Sequence, residues 1–273
     1  MAGLWVKFVV LLCIFLEIFQ SIGCSRNCKF AVDDNLGVHV ERKKVVIVEG
    51  LISSGKTTLT RELGKALGND TLVMAEPDEK DNSNPYLADY YEDSQRWSFT
   101  TQCHMLAMRY RMHMHAQWHA MQGTGHAILD RSYFGDTAFA RLQVKMGLMS
   151  PREFDTYTIL YHSMTASVML PTMCLRVLVS PETAGKRILS RMEKETGRKC
   201  ESAVSMDYLR GLDQEIDHMV DVLRRQGVTV LDVPWDEERD TPEVRKSAIE
   251  GLASRINSLV PPDHFLDMHR RAI

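Results

Sequence analysis

The 273-residue chain lacks the features that would place it in several large classes. It has no surplus of positive charge: 33 Lys and Arg stand against 36 Asp and Glu, for a formal net charge of −3. No basic patch with interleaved aromatics is present either. A global field that gathers nucleic acid is therefore excluded, and any attraction for phosphate must be local. The six cysteines (Cys13, Cys24, Cys28, Cys103, Cys174 and Cys200) never form a Cys-x-x-C pair, so we expect reduced thiols and neither a disulfide framework nor a zinc set. Internal repeats and low-complexity tracts are missing. So is the Asn-Lys dipeptide, and with it the N-K-x-D guanine reader of switch GTPases.

A long apolar run is also lacking. The stretch Phe8 to Leu16 is uninterrupted for only nine residues; as a helix it would reach about 14 Å, against roughly 30 Å of bilayer hydrocarbon. Extending it to Ile22 admits Glu17 and Gln20. With Lys7 before it and Ser21-Ile22-Gly23 after it, the segment 4–22 reads as a signal-peptide core or short signal anchor rather than a stable span. A mitochondrial transit peptide is a poorer match, because no Arg precedes Arg26 and Glu17 is acidic. Two readings stay open: membrane association or targeting through residues 4–22, or an inert extension. Residues 1–40 are accordingly a hydrophobic leader and linker, with Asp33, Asp34, Asn35 and Gly37 as turn material.

What is present begins at Val45. The apolar run Val45-Val46-Ile47-Val48 leads into Glu49 and then Gly50-Leu51-Ile52-Ser53-Ser54-Gly55-Lys56-Thr57-Thr58, followed by Leu59, Leu63 and Leu67 at helical spacing. This is G-x-x-x-x-G-K-T between a buried strand and a helix. The context is decisive, because the loop binds phosphate by aiming backbone N–H groups and a positive helix N-terminus at it. The glycines let the chain curl, Lys56 reaches the β- and γ-phosphates, and Thr57 can hold Mg²⁺. The motif implies a nucleoside triphosphate as ligand, and hence a compartment that contains ATP, which argues for the cytoplasm and against export.

Further along, Leu72–Ala75 reads as a strand ending at Glu76-Pro77, and residues 85–91 as a short helix. Arg96 to Gln122 carries Phe99, Met105, Leu106, Met108, Met112 and Trp118 at helical spacing. Ala127–Leu129 is a short strand before Asp130-Arg131-Ser132. Two helical segments follow, split at Gly147 and restarted by Ser150-Pro151, an N-cap and first-turn pair. Cys174–Val179 is a strand, Ser180-Pro181-Glu182 opens a helix towards Glu195, Met206 to Gln226 is helical, and Thr229–Val233 is the last strand. Strands alternating with helices predict an α/β parallel sheet covered on both faces. Ligands of such sheets sit beyond the carboxyl ends of the strands. That rule gathers Gly50–Thr57, Glu76, Asp130–Ser132 and the loop after Val233 around one crevice.

Those residue types suit phosphoryl transfer, which needs charge neutralisation, a metal and a group to receive the acceptor's proton. Lys56 and Thr57 supply part of the first two. Asp130 is a candidate partner of the metal or its waters, Arg131 a candidate for the developing negative charge, and Glu76 a candidate base. A basic cluster of Lys186, Arg187, Arg191, Lys194, Arg198 and Lys199, with Gly197 as a hinge, reads either as an exposed charged helix or as a lid closing over phosphates. His113, His115 and His119 on the long helix show no third ligand, and the methionines there suit adaptable core filling.

The combination of Glu76-Pro77, Arg96-Trp97-Ser98-Phe99-Thr100-Thr101-Gln102 and Asp130-Arg131-Ser132 resembles the deoxyribonucleoside kinases, over about Lys43 to Glu238. The resemblance implies a P-loop kinase three-layer fold, with a parallel sheet of about five strands flanked by helices and a lid. It implies a kinase domain over residues 41–260 and a tail over 261–273. It implies that Glu76 deprotonates the 5′-hydroxyl, that Asp130, in place of the commoner Glu, helps bind Mg²⁺ with ATP as phosphate donor, and that Arg131 holds phosphoryl oxygens and Glu76. Gln102 looks like the reader of the nucleobase edge. Tyr91 and Glu201 match positions that share the sugar 3′-hydroxyl, Arg198 resembles a lid arginine, and Phe139 is a candidate to stack on the base. Arg109 and Asp136 match a pair found in members that act on deoxycytidine or purine deoxynucleosides and lacking in those that prefer thymidine. A charged donor and acceptor facing the base leave little room for a thymine methyl. Trp235-Asp236-Glu237 falls where an adenine-contacting loop would lie, with a plain turn as the alternative; Asp236 is the candidate ATP contact. The resemblance also implies a homodimer through the long helices.

Three departures accompany this. The aromatic residue that animal enzymes carry shortly after Glu-Pro is replaced near Asp81, the lid between Arg191 and Arg198 is longer, and the leader is not a family feature. Two rivals remain on sequence grounds. A thymidylate-like nucleoside monophosphate kinase shares the fold, but no Gly-Gly-Thr follows Glu76-Pro77 and an anionic acceptor needs no base. The other is a non-catalytic P-loop nucleotide-binding module.

Overall fold

Val45–Gly50 (β1) is buried along its whole length, as the unbroken β-branched run requires of a strand covered on both faces. The computed structural model describes residues 43–77, 84–194, 204–236 and 242–259; the leader at 1–40, Asp81, Gly197 to Glu201 and the tail at 261–273 lie outside them. β1 is central. It pairs in parallel with Ala127–Asp130 (β3) on one side and Met173–Leu178 (β4) on the other. Leu72–Met74 (β2) adds to β3 and Thr229–Pro234 (β5) to β4, giving the order β2-β3-β1-β4-β5. The described sheet has the five parallel strands that the sequence predicts. β2 is one residue shorter than its apolar run, because Ala75 already turns towards Glu76-Pro77.

Helices Lys56–Leu67 (α1), Leu87–Glu92 (α2) and Ser94–Met121 (α3) precede β3; Tyr133–Lys145 (α4) and Pro151–Thr165 (α5) precede β4; Pro181–Lys194 (α6) and Met206–Arg225 (α7) precede β5; Pro242–Ser258 (α8) ends the described chain. α3, α4 and α7 lie side by side in one row, and α1 contacts α8 in another. The α5 start is a full capping box: the Ser150 hydroxyl accepts from Glu153 N and the Glu153 carboxylate accepts from Ser150 N. That satisfies two orphan amides at the position where Ser150-Pro151 predicts a start.

At two places the structure departs from the sequence reading or extends it. Trp118, counted among the apolar positions of the long helix, is 61 % exposed; it lies on the outer side, while Met105, Leu106 and Met112 are buried. The second is α8, which the polar stretch after Asp236 conceals. It buries Ile249, Leu252, Ala253 and Ile256, spaced i, i+3, i+4, i+7. The buried Lys44 ammonium donates to Asn257 O at 2.8 Å, tying its end to the start of β1. Among the described residues no helix is long and apolar enough to cross a membrane.

Candidate active site

The loop after β1 has the geometry its sequence demands. Gly55, at φ +94°, caps the start of α1, and a Cβ there would lie 2.8 Å from Trp235 Nε1. Only glycine combines that backbone conformation with so close a neighbour. Ser53 is also left-handed, at φ 57°. Residues Ile52 to Thr58 line a cleft of about 720 Å³, whereas Gly50 and Leu51 stand behind the loop: Gly50 O accepts from Arg131 Nη1 at 2.9 Å and Leu51 is buried. These two residues shape the loop from behind rather than line the cleft. The Lys56 ammonium folds back to donate to Leu51 O. Burial, then the nearby Arg131 cation, lower it to about 7 against the pull of Asp130 and Glu76.

Across the cleft, the ends of β2 and β3 deliver the charged groups. Glu76 Oε1 lies 2.7 Å from Arg109 Nη2 and 2.9 Å from Arg131 Nε. Burial alone would raise this carboxyl, but Arg131, Arg109 and Lys56 together hold it at about 2. Thr57 Oγ1 donates to Asp130 Oδ2 at 2.5 Å. Asp130 Oδ1 is buried without a hydrogen-bond partner, and burial, then the neighbouring Glu76, raise the Asp130 carboxyl. A hydroxyl and a half-satisfied carboxylate beside a phosphate loop fit a hard divalent cation such as Mg²⁺, which takes few protein ligands and completes its shell with phosphates and water. Among the described residues no cluster of three His, Cys, Asp or Glu could hold a metal by itself. His113 and His119 instead place ring nitrogens on Met169 O and Asp70 O.

The deep end of the cleft is built from α3 and α4. Arg109 bridges Glu76 and Asp136, donating through Nη1 to Asp136 Oδ1 and through Nη2 to Glu76. The second Asp136 oxygen accepts from the Tyr157 hydroxyl at 2.7 Å. Gln102 donates to Asp136 O at 3.1 Å and accepts from Gln143 Nε2 at 3.0 Å. Both ends of its amide are thereby held in place at the cleft wall. Phe139 faces both arginines, with guanidinium carbons 4.9 Å (Arg131) and 5.6 Å (Arg109) from its ring centre. Tyr91 lines the cleft near Tyr90 and Tyr208.

Residues 46–261 match the deoxynucleoside kinase family. The chain belongs to that family. It is 30% identical over 224 residues to the deoxyadenosine/deoxycytidine kinase of Bacillus subtilis (strain 168), covering 81% of this chain and 95% of that protein. It is 29% identical over 220 residues to the deoxyadenosine kinase of Dictyostelium discoideum, covering 80% and 83%. Among solved structures, that of deoxyadenosine kinase from M. mycoides with bound dATP superposes with a TM-score of 0.61 at 24% identity, covering 79% of this chain and all of the other; this likeness concerns the fold. The protein is therefore a phosphotransferase that phosphorylates deoxynucleosides, using ATP.

Within this deoxynucleoside kinase, several site groups escaped the sequence reading. Arg187, one of the basic cluster that reads as an exposed helix or a lid, donates to Ser54 O, Trp235 O and Asp236 O, pinning the loop after β5 to the phosphate loop. Asp236 caps α6 by accepting from Ser180 N at 3.1 Å and from its hydroxyl. Gln143 and Tyr157 hold Gln102 and Asp136, and nothing in their spacing announces it. Glu49 does carry a signal: it is a carboxylate inside a buried apolar strand. Arg191 lines the cleft, while Arg198 and Glu201 lie outside the described residues.

Proposed function

We propose that this kinase transfers the γ-phosphoryl group of ATP to the 5′-hydroxyl of a purine deoxynucleoside or deoxycytidine in preference to thymidine. The observation that carries the preference is the buried Arg109–Asp136 pair at the deep end of the cleft, beside Gln102. A fixed cation and anion reward bases that offer complementary acceptors and amino groups, and an unpaired buried polar group penalises a base without them. The names of the relatives, deoxyadenosine kinase and deoxyadenosine/deoxycytidine kinase, support the same ranking.

In this reading the loop amides and Lys56 cradle the triphosphate, and Glu76 accepts the 5′-hydroxyl hydrogen. A carboxylate held at about 2 is a weak base. That suffices, because the phosphoryl transition state is loose and catalysis rests mainly on position and charge. Arg131 bridges Glu76 and the migrating phosphoryl group. Thr57 and Asp130 would hold Mg²⁺, which supplies charge neutralisation on the phosphate oxygens. Tyr91 and Glu201 would take the sugar hydroxyl, Arg198 would close the lid, and Asp236 would contact adenine. We also assign residues 41–260 to the kinase domain, place the protein in an ATP-containing compartment such as the cytoplasm, and keep membrane association through residues 4–22 as a role for the leader. Trp118 and Met121 on α3, with Ile159 and Leu160 on the adjoining α5, are exposed and suit a homodimer face. The test is a panel of deoxyadenosine, deoxyguanosine, deoxycytidine and thymidine with labelled ATP. Thymidine ranked first would overturn the assignment.

A further inference from the structure

Glu49, the last residue but one of β1, has no exposed surface, and no step described above uses it. Its Oε1 accepts from Ser132 N at 2.9 Å and from the Ser132 hydroxyl at 2.6 Å. Its Oε2 has no hydrogen-bond donor and lies 4.0 Å from Arg131 Nη1. The segment it grips is unusual. Arg131, between Asp130 and Ser132, is left-handed at φ 68°, a conformation that a long side chain adopts only when its surroundings enforce it. Ser132 also caps α4, accepting from Phe134 N and Gly135 N. A Cβ on Gly135 would fall 2.3 Å from Glu49 Oε2, so the carboxylate occupies the space that a side chain there would need.

We propose that Glu49 is the positioning residue for Arg131. Its carboxylate anchors Ser132 on one oxygen and faces the Arg131 cation with the other. It thereby holds the left-handed turn that aims the guanidinium at Gly50 O and Glu76. A neutral anchor would satisfy Ser132 equally well. The charge is needed because Arg131, only 2 % exposed, has Glu76 on one side only, and Glu76 must turn to the incoming hydroxyl. Burial pushes the Glu49 carboxyl upward, and the Arg131 cation, the next largest influence, pulls it back down. The proposal rests on the assignment of Arg131 to the phosphoryl group.

The experiment is a double-mutant cycle of Glu49→Gln and Arg131→Met, with kcat and both KM values measured for deoxyadenosine and ATP and folding followed by circular dichroism. Arg131→Met is expected to lower kcat by about 10²–10³, the worth of a lost transition-state donor. Glu49→Gln is expected to lower kcat by about 10- to 100-fold, the cost of a displacement near 1 Å, with both KM values within about threefold. In the double variant kcat should fall no further than with Arg131→Met alone, since coupled residues are not additive. As a second route, Gly135→Ala displaces the carboxylate without removing it and should give the same kcat loss. Full kcat in Glu49→Gln or Gly135→Ala, or multiplicative losses in the cycle, would overturn the positioning role alone. Unchanged kcat in Arg131→Met would overturn the Arg131 assignment and the proposal with it.

Discussion

Removing Arg109 is the sharpest perturbation the site offers. Its guanidinium is 4 % exposed and Asp136 is wholly buried. Arg109→Met therefore strands a carboxylate whose remaining side-chain partner from α5 is the neutral Tyr157 hydroxyl. Breaking a buried pair from one side costs about 3–5 kcal/mol. At about 2–4 °C per kcal/mol for a chain of this size, that is a fall of roughly 10 °C in Tm. Asp136→Ala should cost less, because Arg109 keeps Glu76 at 2.7 Å. The double variant strands neither charge, so its loss should be smaller than the sum of the single losses by about 2 kcal/mol, within the range of coupled neighbours. A pH arm strengthens the test. Burial already pushes Asp136 up, against the pull of Arg109; without that cation the folded value rises further above the unfolded one. The folded Arg109→Met protein then binds more protons than the unfolded chain. Its stability should fall as pH rises from about 4 through the raised value, by at most about 1.4 kcal/mol per pH unit, and level off above it. Urea unfolding of the four proteins at pH 5.5 and pH 8 reads both effects. Additive losses within about 0.5 kcal/mol, or an Arg109→Met deficit that does not grow at the higher pH, would refute the stranded-charge argument.

Glu76→Gln should lower turnover by about 10²–10⁴, the usual worth of a general base, with ATP binding retained; calorimetry and steady-state assays together check this, and an unchanged rate removes Glu76 from the role. Lys56, lowered to about 7 when no phosphate faces it, should regain its proton when a triphosphate binds. Titration calorimetry at pH 8.5 in buffers of different ionisation enthalpy should show uptake approaching one proton, and no uptake would contradict the cause assigned. In the unliganded protein the same shift makes stability rise with pH between about 7 and the unfolded lysine value, because the unfolded chain binds the extra proton there. Expression with and without residues 1–40 should change the distribution between membrane and supernatant if the leader localises the protein; identical distributions mark it as inert.

Legibility from sequence varied with the range of the interaction. The phosphate loop, the strand ends at Glu76 and Asp130, and the helix start at Ser150 depend on neighbours within a few residues, so local pattern reveals them. Arg109 and Asp136, 27 residues apart, became legible only through resemblance to a family. Tyr157, Gln143 and Arg187 act on groups 21 to 133 residues away, and no local spacing encodes such a partner. α8 was missed for a different reason. Its apolar stripe of four residues is regular, but it lies in a polar context, so its helicity depends on the α1 face it covers. The Arg245–Glu62 pair at 3.3 Å adds little, both side chains being about a third or more exposed.

The central place of β1 has a consequence for how the protein is made. Val45 meets Ala127 on one side, and Val46 meets Met173 on the other, so the strand that carries the phosphate loop has no partner nearby in the chain. Pairing over such separations pays a large loop-closure cost before any contact rewards it, which slows folding. On the ribosome, β1 must wait unpaired until β3 emerges 82 residues later, and then as a half-paired edge until β4 emerges 127 residues on. During that wait it is a segment for chaperones to shield. A nonsense codon before Met173 would leave it permanently as a sheet edge, and such a fragment should aggregate rather than bind nucleotide weakly.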